Sequence, residues 1–231
     1  DKTADGIWLR RVRYQWDIQK SAEPSEITLP QGNSGDINYT LNVTRTIGGI
    51  MDFIGVQGEI CVTNTGSVPT ENLTIIDTVK YANTTGGPLF DVPNASLRII
   101  VLSQLPGGET ACYPYRVGFS PVNGAVEYWN EVNVTITNYV GHLGEDFGPG
   151  PILVPFQLPQ EPAVTEVKKN ATVSDSLSCP AGFTCTSSDP GRWNLTDSGI
   201  ITYTVTVTND AVACGQNRTI NNTATVTDTT K

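Results

Sequence analysis

Ser198-Gly-Ile-Ile-Thr-Tyr-Thr-Val-Thr-Val-Thr-Asn209 has an earlier counterpart in Ser34-Gly-Asp-Ile-Asn-Tyr-Thr-Leu-Asn-Val-Thr44. In both, a small-residue turn leads into strict alternation around a tyrosine. Ile201, Tyr203, Val205 and Val207 share one face, and Thr202, Thr204, Thr206 and Thr208 take the other. The earlier copy sets Ile37, Tyr39, Leu41 and Val43 against Asn38, Thr40, Asn42 and Thr44. A period of two carried by β-branched and aromatic residues means a half-buried strand. Its recurrence suggests two related β-modules in one chain.

Composition agrees with an all-β reading. The 231 residues hold one large or two ordinary domains, and include thirty threonines, 22 glycines and 15 prolines. No stretch carries convincing helical spacing, and no apolar run approaches the ~18–20 residues of a membrane span. Asp1 reads as the residue left by a removed signal peptide. A net charge of −9 argues against nucleic acid as partner. The leading end is nevertheless basic, with Lys2, Arg10, Arg11, Arg13 and Lys20 against Asp1, Asp5 and Asp17. That is either a solvated tail or a surface complementary to the acidic body of another copy.

Five cysteines fit no zinc spacing, and the chain has one histidine, so a Cys/His metal site is not expected. Cys179 and Cys185 bracket a short loop that suits a local disulfide. Cys61 and Cys112 are candidates to pair across the first module, leaving Cys214 free or bonded to another chain. Cysteine positions alone leave other connectivities open.

Ten Asn-X-Ser/Thr triplets begin at Asn38, Asn42, Asn72, Asn83, Asn94, Asn133, Asn170, Asn194, Asn217 and Asn221, out of 17 asparagines. This excess points to covalent N-glycans, and so to a secreted or cell-surface protein. Several of these asparagines fall on the polar side of an alternating strand.

Taken in order, residues 7–18 form a first strand, alternating from Val12 through Tyr14, Trp16 and Ile18. Residues 27–29 read as a short strand. Further strands are expected at 36–46, 52–63, 71–79, 96–102, 111–119 and 126–137. Gly107-Gly108 and Asn123-Gly124 are hairpin signals between the later ones. Residues 148–162 hold five prolines and read as a stiff linker. Beyond it, strands are expected near 163–172, 191–195, 199–208 and 217–227. The division is therefore an N-terminal strand (1–18), a first β-sandwich (19–147), the Pro-rich linker (148–162) and a smaller second β-sandwich (163–231).

Tyr14-Gln-Trp-Asp-Ile-Gln-Lys-Ser-Ala-Glu-Pro, Gly35-Asp-Ile-Asn-Tyr-Thr-Leu-Asn-Val-Thr, Ile60-Cys-Val-Thr-Asn-Thr-Gly and Asn221-Asn-Thr-Ala-Thr-Val resemble the Ig-like conserved-repeat modules of large prokaryotic cell-surface and adhesin proteins. The resemblance implies two antiparallel Ig-like β-sandwich modules acting as spacer, adhesin or surface polymer, without catalysis. In such modules another strand follows the Asn-Asn-Thr-Ala-Thr segment, so the second module here is expected to be short of a strand.

The chemistry-bearing residues are sparse. His142 sits in a Gly-rich loop without a nucleophile motif, and Glu145 and Asp146 beside it offer loop carboxylates to a structural calcium without EF-hand spacing. No catalytic residue and no cofactor is expected. Three readings remain. In the first, Ile7, Leu9, Val12, Tyr14 and Trp16 insert into the open second module of another copy, building a glycosylated filament head to tail. In the second, that strand pairs at home in a monomeric spacer. In the third, Tyr81, Tyr113 and Trp193 are exposed aromatics that stack on surface glycans.

Overall fold

The computed structural model describes residues 1–101, 104–189 and 191–229. The described residues contain no helix. They form thirteen strands: β1 (Asp5–Glu23), β2 (Ser34–Thr63), β3 (Thr74–Ala82), β4 (Phe90–Ile100), β5 (Thr110–Gly118), β6 (Glu127–Thr135), β7 (Ile152–Phe156), β8 (Ala163–Val167), β9 (Ala171–Ser178), β10 (Phe183–Ser187), β11 (Arg192–Leu195), β12 (Gly199–Asn209) and β13 (Asn221–Asp228). The strands at 36–46 and 52–63 are one, because the residues between them stay extended. Gly48 suits that path: a Cβ there would collide with the side chain of Gln15. Residues 27–29 form no strand, but Ile27 and Leu29 still pack against a core, and the Leu29 carbonyl accepts a hydrogen bond from Asn209 Nδ2 at 2.9 Å.

The chain divides into two compact units, each discontinuous: Asp1–Arg10 with Asp52–Val164, and Arg11–Met51 with Thr165–Lys231. This is a different cut from the division into 1–18, 19–147, 148–162 and 163–231. The reason is that β1 and β2 each serve both units, which no break in the alternation betrays.

In the first unit, β4-β3-β6-β7 form an antiparallel sheet, and β5 pairs antiparallel with the second half of β2. The leading residues pair with β2 as well. Lys2 is bridged to Ile60, the Thr3 N–H donates to the Glu59 carbonyl at 3.0 Å, and the Cys61 N–H donates to the Asp1 carbonyl at 2.9 Å. Val56, Ile60, Tyr115 and Val117 from β2 and β5 pack against Ile75, Val79, Val92, Val132 and Phe156 from the other sheet, a sandwich core. The stretch read as a linker contributes β7, whose Pro155 lies opposite Trp129 and whose Phe156 enters the core. Proline is tolerated there because β7 is an edge strand. Gly108 and Gly124 turn with φ of 82° and 84°, yet β5 pairs with β2 rather than with β4 or β6. The two turns therefore carry the chain between sheets and are not hairpins.

In the second unit one sheet has the order β10-β12-β2-β1-β8, and a smaller one the order β11-β9-β13. The two copies of the tyrosine strand are neighbours here. β12 runs antiparallel to β2 with Tyr203 opposite Tyr39, and their rings stack at 5.3 Å. The recurrence thus marks two adjacent strands of one sheet, not one strand in each module. Tyr39, Leu41, Val43, Val205 and Val207 face Val173 of β9 across the core.

Cys61 and Cys112 are register partners on β2 and β5 and form a disulfide; Cys179 and Cys185 form the second, and Cys214 is an exposed free thiol. Two disulfides indicate an oxidising environment. Among the described residues no helix is long and apolar enough to cross a membrane. The bridges close loops of 51 and 6 residues. Loop-closure entropy then makes them worth about 4 and about 2 kcal/mol respectively. Chemical denaturation of the two double Cys→Ala variants is expected to show that order.

Candidate functional site

Each unit carries a lysine, a carboxylate and an asparagine that face inward, buried in the first unit and half-buried in the second, although alternating strands normally place such residues outward. In the first unit, Ile75, Asp77 and Val79 share the inward phase of β3, and Asn130 and Val132 that of β6. Asp77 lies opposite Val132 and Val79 opposite Asn130, so Asp77 and Asn130 are diagonal neighbours on one face. Lys2 reaches them from beside Ile60, on β2. Its ammonium meets Asp77 Oδ2 in an ion pair whose two side chains are fully buried, and Asn130 Nδ2 donates to Asp77 Oδ1 at 2.8 Å. The Tyr115 ring lies 4.2 Å from Lys2 Nζ, and its hydroxyl donates to the Thr3 carbonyl at 2.6 Å.

The second unit repeats the set. Asp175 on β9 lies opposite Ala224, and Leu177 opposite Asn222, the same diagonal offset. Lys20 comes from β1, in the facing sheet, and its Nζ sits 2.5 Å from Asp175 Oδ1. The ring centroids of Tyr39 and Tyr203 lie 4.9 and 5.6 Å from that nitrogen. The Tyr203 hydroxyl donates to Asp175 Oδ2 and accepts from Asn222 Nδ2 at 2.9 Å, so here a phenol stands between carboxylate and amide.

Burial pulls the pKa of Lys2 and of Lys20 below the ordinary lysine value, against the opposing pull of Asp77 and Asp175. Burial also raises the phenols of Tyr115 and Tyr203. Among the described residues, three buried side-chain polar atoms lack a hydrogen-bond partner, and two of them are Asn130 Oδ1 and Asn222 Oδ1. The same atom is orphaned at the same place in both units.

Of the residues singled out in the sequence, Lys2 and Lys20 of the basic leading end belong to these clusters, and the candidate site residues do not. Nine of the ten sequon asparagines are exposed: Asn38, Asn42, Asn72, Asn83, Asn94, Asn170, Asn194, Asn217 and Asn221; Asn133 is half-buried. Ile7 and Val12 are buried, Leu9 is exposed, and Tyr14 and Trp16 are half-buried. Tyr14 donates to Glu166 Oε1 at 2.7 Å and Trp16 Nε1 to the Lys168 carbonyl at 2.8 Å. The three aromatics expected in exposed loops lie instead in strands and are half-buried. Tyr81 packs on Phe90, Tyr113 on the first core, and Trp193 on Tyr203. Alternation explains this, since each occupies an inward phase of its strand. His142 stacks on Phe147 at 4.0 Å, and Glu145 and Asp146 are exposed loop residues. Glu59 lies beside the Cys61–Cys112 pair, but sulfurs bonded to each other are not thiolate ligands.

The signal that marks the buried set in the sequence is phase. Asp77 and Asp175 stand where an apolar residue belongs, as do Lys20 after Tyr14, Trp16 and Ile18, and Asn222 before Ala224 and Val226. Neither a protein-family model nor a curated protein matches this chain.

Removing one partner of a buried ion pair leaves a charge without compensation. Asp77→Ala is expected to lower unfolding stability by about 3–5 kcal/mol, and Asp77→Ala with Lys2→Met to recover much of it, as read by denaturant titration. The raised phenols add a pH dependence. Unfolded tyrosine ionises near its ordinary value of 10.0, below the folded value. The stabilisation is therefore complete below that pH and is lost as pH rises from there through the folded value. Tyr115→Phe is expected to flatten this alkaline fall in a pH series of melting curves.

Proposed function

We propose that this chain is a non-catalytic structural spacer of an extracellular surface protein, built from Ig-like sandwich units and N-glycosylated on its polar faces. The observation that carries this reading is the home pairing of the leading segment. Residues 1–3 hydrogen-bond to β2, and further along β1 lies between β2 and β8. It is an interior strand, and withdrawing it would break ladders on both sides. Ile7 and Val12 would also lose their burial, at about 1.5–3 kcal/mol for each large apolar side chain. A second copy would have to return all of this before donation became favourable. Donation of Ile7, Leu9, Val12, Tyr14 and Trp16 into another copy is thus the less favoured reading, whereas a spacer needs no exchange.

Other features support the same reading. Two disulfides suit the outside of a cell. The exposed sequon asparagines leave room for glycans. Sugar recognition has less support, because Tyr81, Tyr113 and Trp193 are half-buried and pack against the two cores.

The test is the state of association of the purified chain, with Cys214→Ser to remove adventitious cross-linking. Light scattering is expected to give the monomer mass at every concentration, and electron micrographs to show no fibres. Fibres from this chain alone would overturn the spacer reading in favour of strand donation.

A further inference from the structure

We propose that each unit closes an intramolecular amide, between Lys2 Nζ and Cγ of Asn130 in the first and between Lys20 Nζ and Cγ of Asn222 in the second, with Asp77 and Asp175 as the proton-transfer groups. Three observations carry this. In the first unit the nucleophile, the amide and an acid are gathered in one dry interior, with Lys2 and Asn130 on the two oxygens of the same Asp77 carboxylate. The set recurs at the same diagonal offset, with the lysine supplied from across the core each time. The asparagine oxygen is unpartnered in both. A buried acceptor left without a donor is destabilising, and its repetition calls for a use.

The chemistry balances without an oxidant, water or a cofactor. Away from water, the ion pair is favoured less than its neutral form, so the Lys2 ammonium passes a proton to Asp77, leaving an amine and a carboxylic acid. The lowered lysine pKa runs in that direction. The Nζ lone pair attacks Cγ of Asn130, and the protonated Asp77 donates to Oδ1, the atom that lacks a donor. That attack forms the Nζ–Cγ bond, and collapse of the tetrahedral centre breaks the Cγ–Nδ2 bond. Asp77 takes the second proton from Nζ and passes it to Nδ2, which leaves as ammonia, and the proton on Oδ1 returns to Asp77 as the carbonyl re-forms. Held together by the fold, the reacting groups need no encounter step, which is worth several orders of magnitude in rate. In the second unit the Tyr203 hydroxyl, bonded to both Asp175 and Asn222, relays the proton.

The product also changes the electrostatics. A charged pair that is costly to bury becomes a neutral secondary amide, and the carboxylic acid left behind has a carbonyl to which it can donate.

The experiment is mass spectrometry of the full chain, with disulfides reduced and any glycans removed. The expected mass falls short of the sequence by two ammonia molecules. Because Asn123-Gly124 can also lose ammonia by cyclising, the peptide map is decisive. Trypsin should fail to cut at Lys2 and Lys20. It should release branched peptides joining residues 1–10 to 117–168 and residues 14–45 to 219–231. Absence of the first branch from the unmutated protein overturns the Lys2–Asn130 bond, and absence of the second overturns the Lys20–Asn222 bond. Loss of water with a Lys2–Asp77 branch would overturn the role given to Asn130. Asp77→Ala is expected to restore one ammonia and abolish the first branch alone, the second serving as the control for folding.

Discussion

A charge carried into an apolar sandwich must find its counter-charge there, and this requirement shapes both units. Removing an ammonium and a carboxylate from water costs several kcal/mol for each ion, which a hydrophobic pair would not incur. Asp77 and Asp175 nevertheless stand among valines, and Lys2 and Lys20 reach them from the facing strands. The tyrosines follow from that choice. Tyr115 in one unit, and Tyr39 and Tyr203 in the other, set ring faces against the ammonium groups, an attraction that is strongest where water is excluded. The stacked tyrosine pair at the centre of the second sheet is therefore a floor for Lys20 as much as a hydrophobic contact.

The alternation of single strands was legible in the sequence, and their partnerships were not. Ile37 to Val43 and Ile201 to Val207 face inward as their period of two requires. That Tyr203 lies opposite Tyr39 is a matter of chain topology, to which similarity between two strands is silent: it fits neighbours in one sheet as well as equivalents in two modules. Proline content misleads at Pro155 for a related reason. Composition cannot tell an exposed linker from an edge strand, since neither uses every backbone N–H. The disulfides were easier, because Cys179 and Cys185 are local and Cys61 and Cys112 both lie in strands of one unit.

The lysine–carboxylate–asparagine sets are hidden in the sequence for a different physical reason. Lysines and aspartates in strands are ordinarily solvated, so their identity outweighed their phase. Lys2 had no phase to read, lying before the alternation begins. Asn130 and Asn222 each stand one to three positions from a sequon asparagine, Asn133 and Asn221, and residue type does not distinguish them from it. Yet Ile75-Ile-Asp-Thr-Val and Val173-Ser-Asp-Ser-Leu place the acid squarely in the apolar register.

The two kinds of constraint act in different directions. The Cys61–Cys112 bridge ties register partners within one sheet, where hydrogen bonds already fix the neighbours. The lysine contacts cross the core, where only side-chain packing joins the layers, and so resist the mode of opening that a sheet cannot resist itself. Edges are the remaining weakness of such a fold, since an edge strand presents unpaired backbone groups to any other chain. Asn94 on β4, Asn194 on β11 and Asn221 on β13 are sequon asparagines exposed on strands that end their sheets. Glycans there would obstruct strand addition along the very edges it would use. Cores tied by lysine contacts and borders carrying such glycans would together suit the proposed spacer, which stands between other things without joining them.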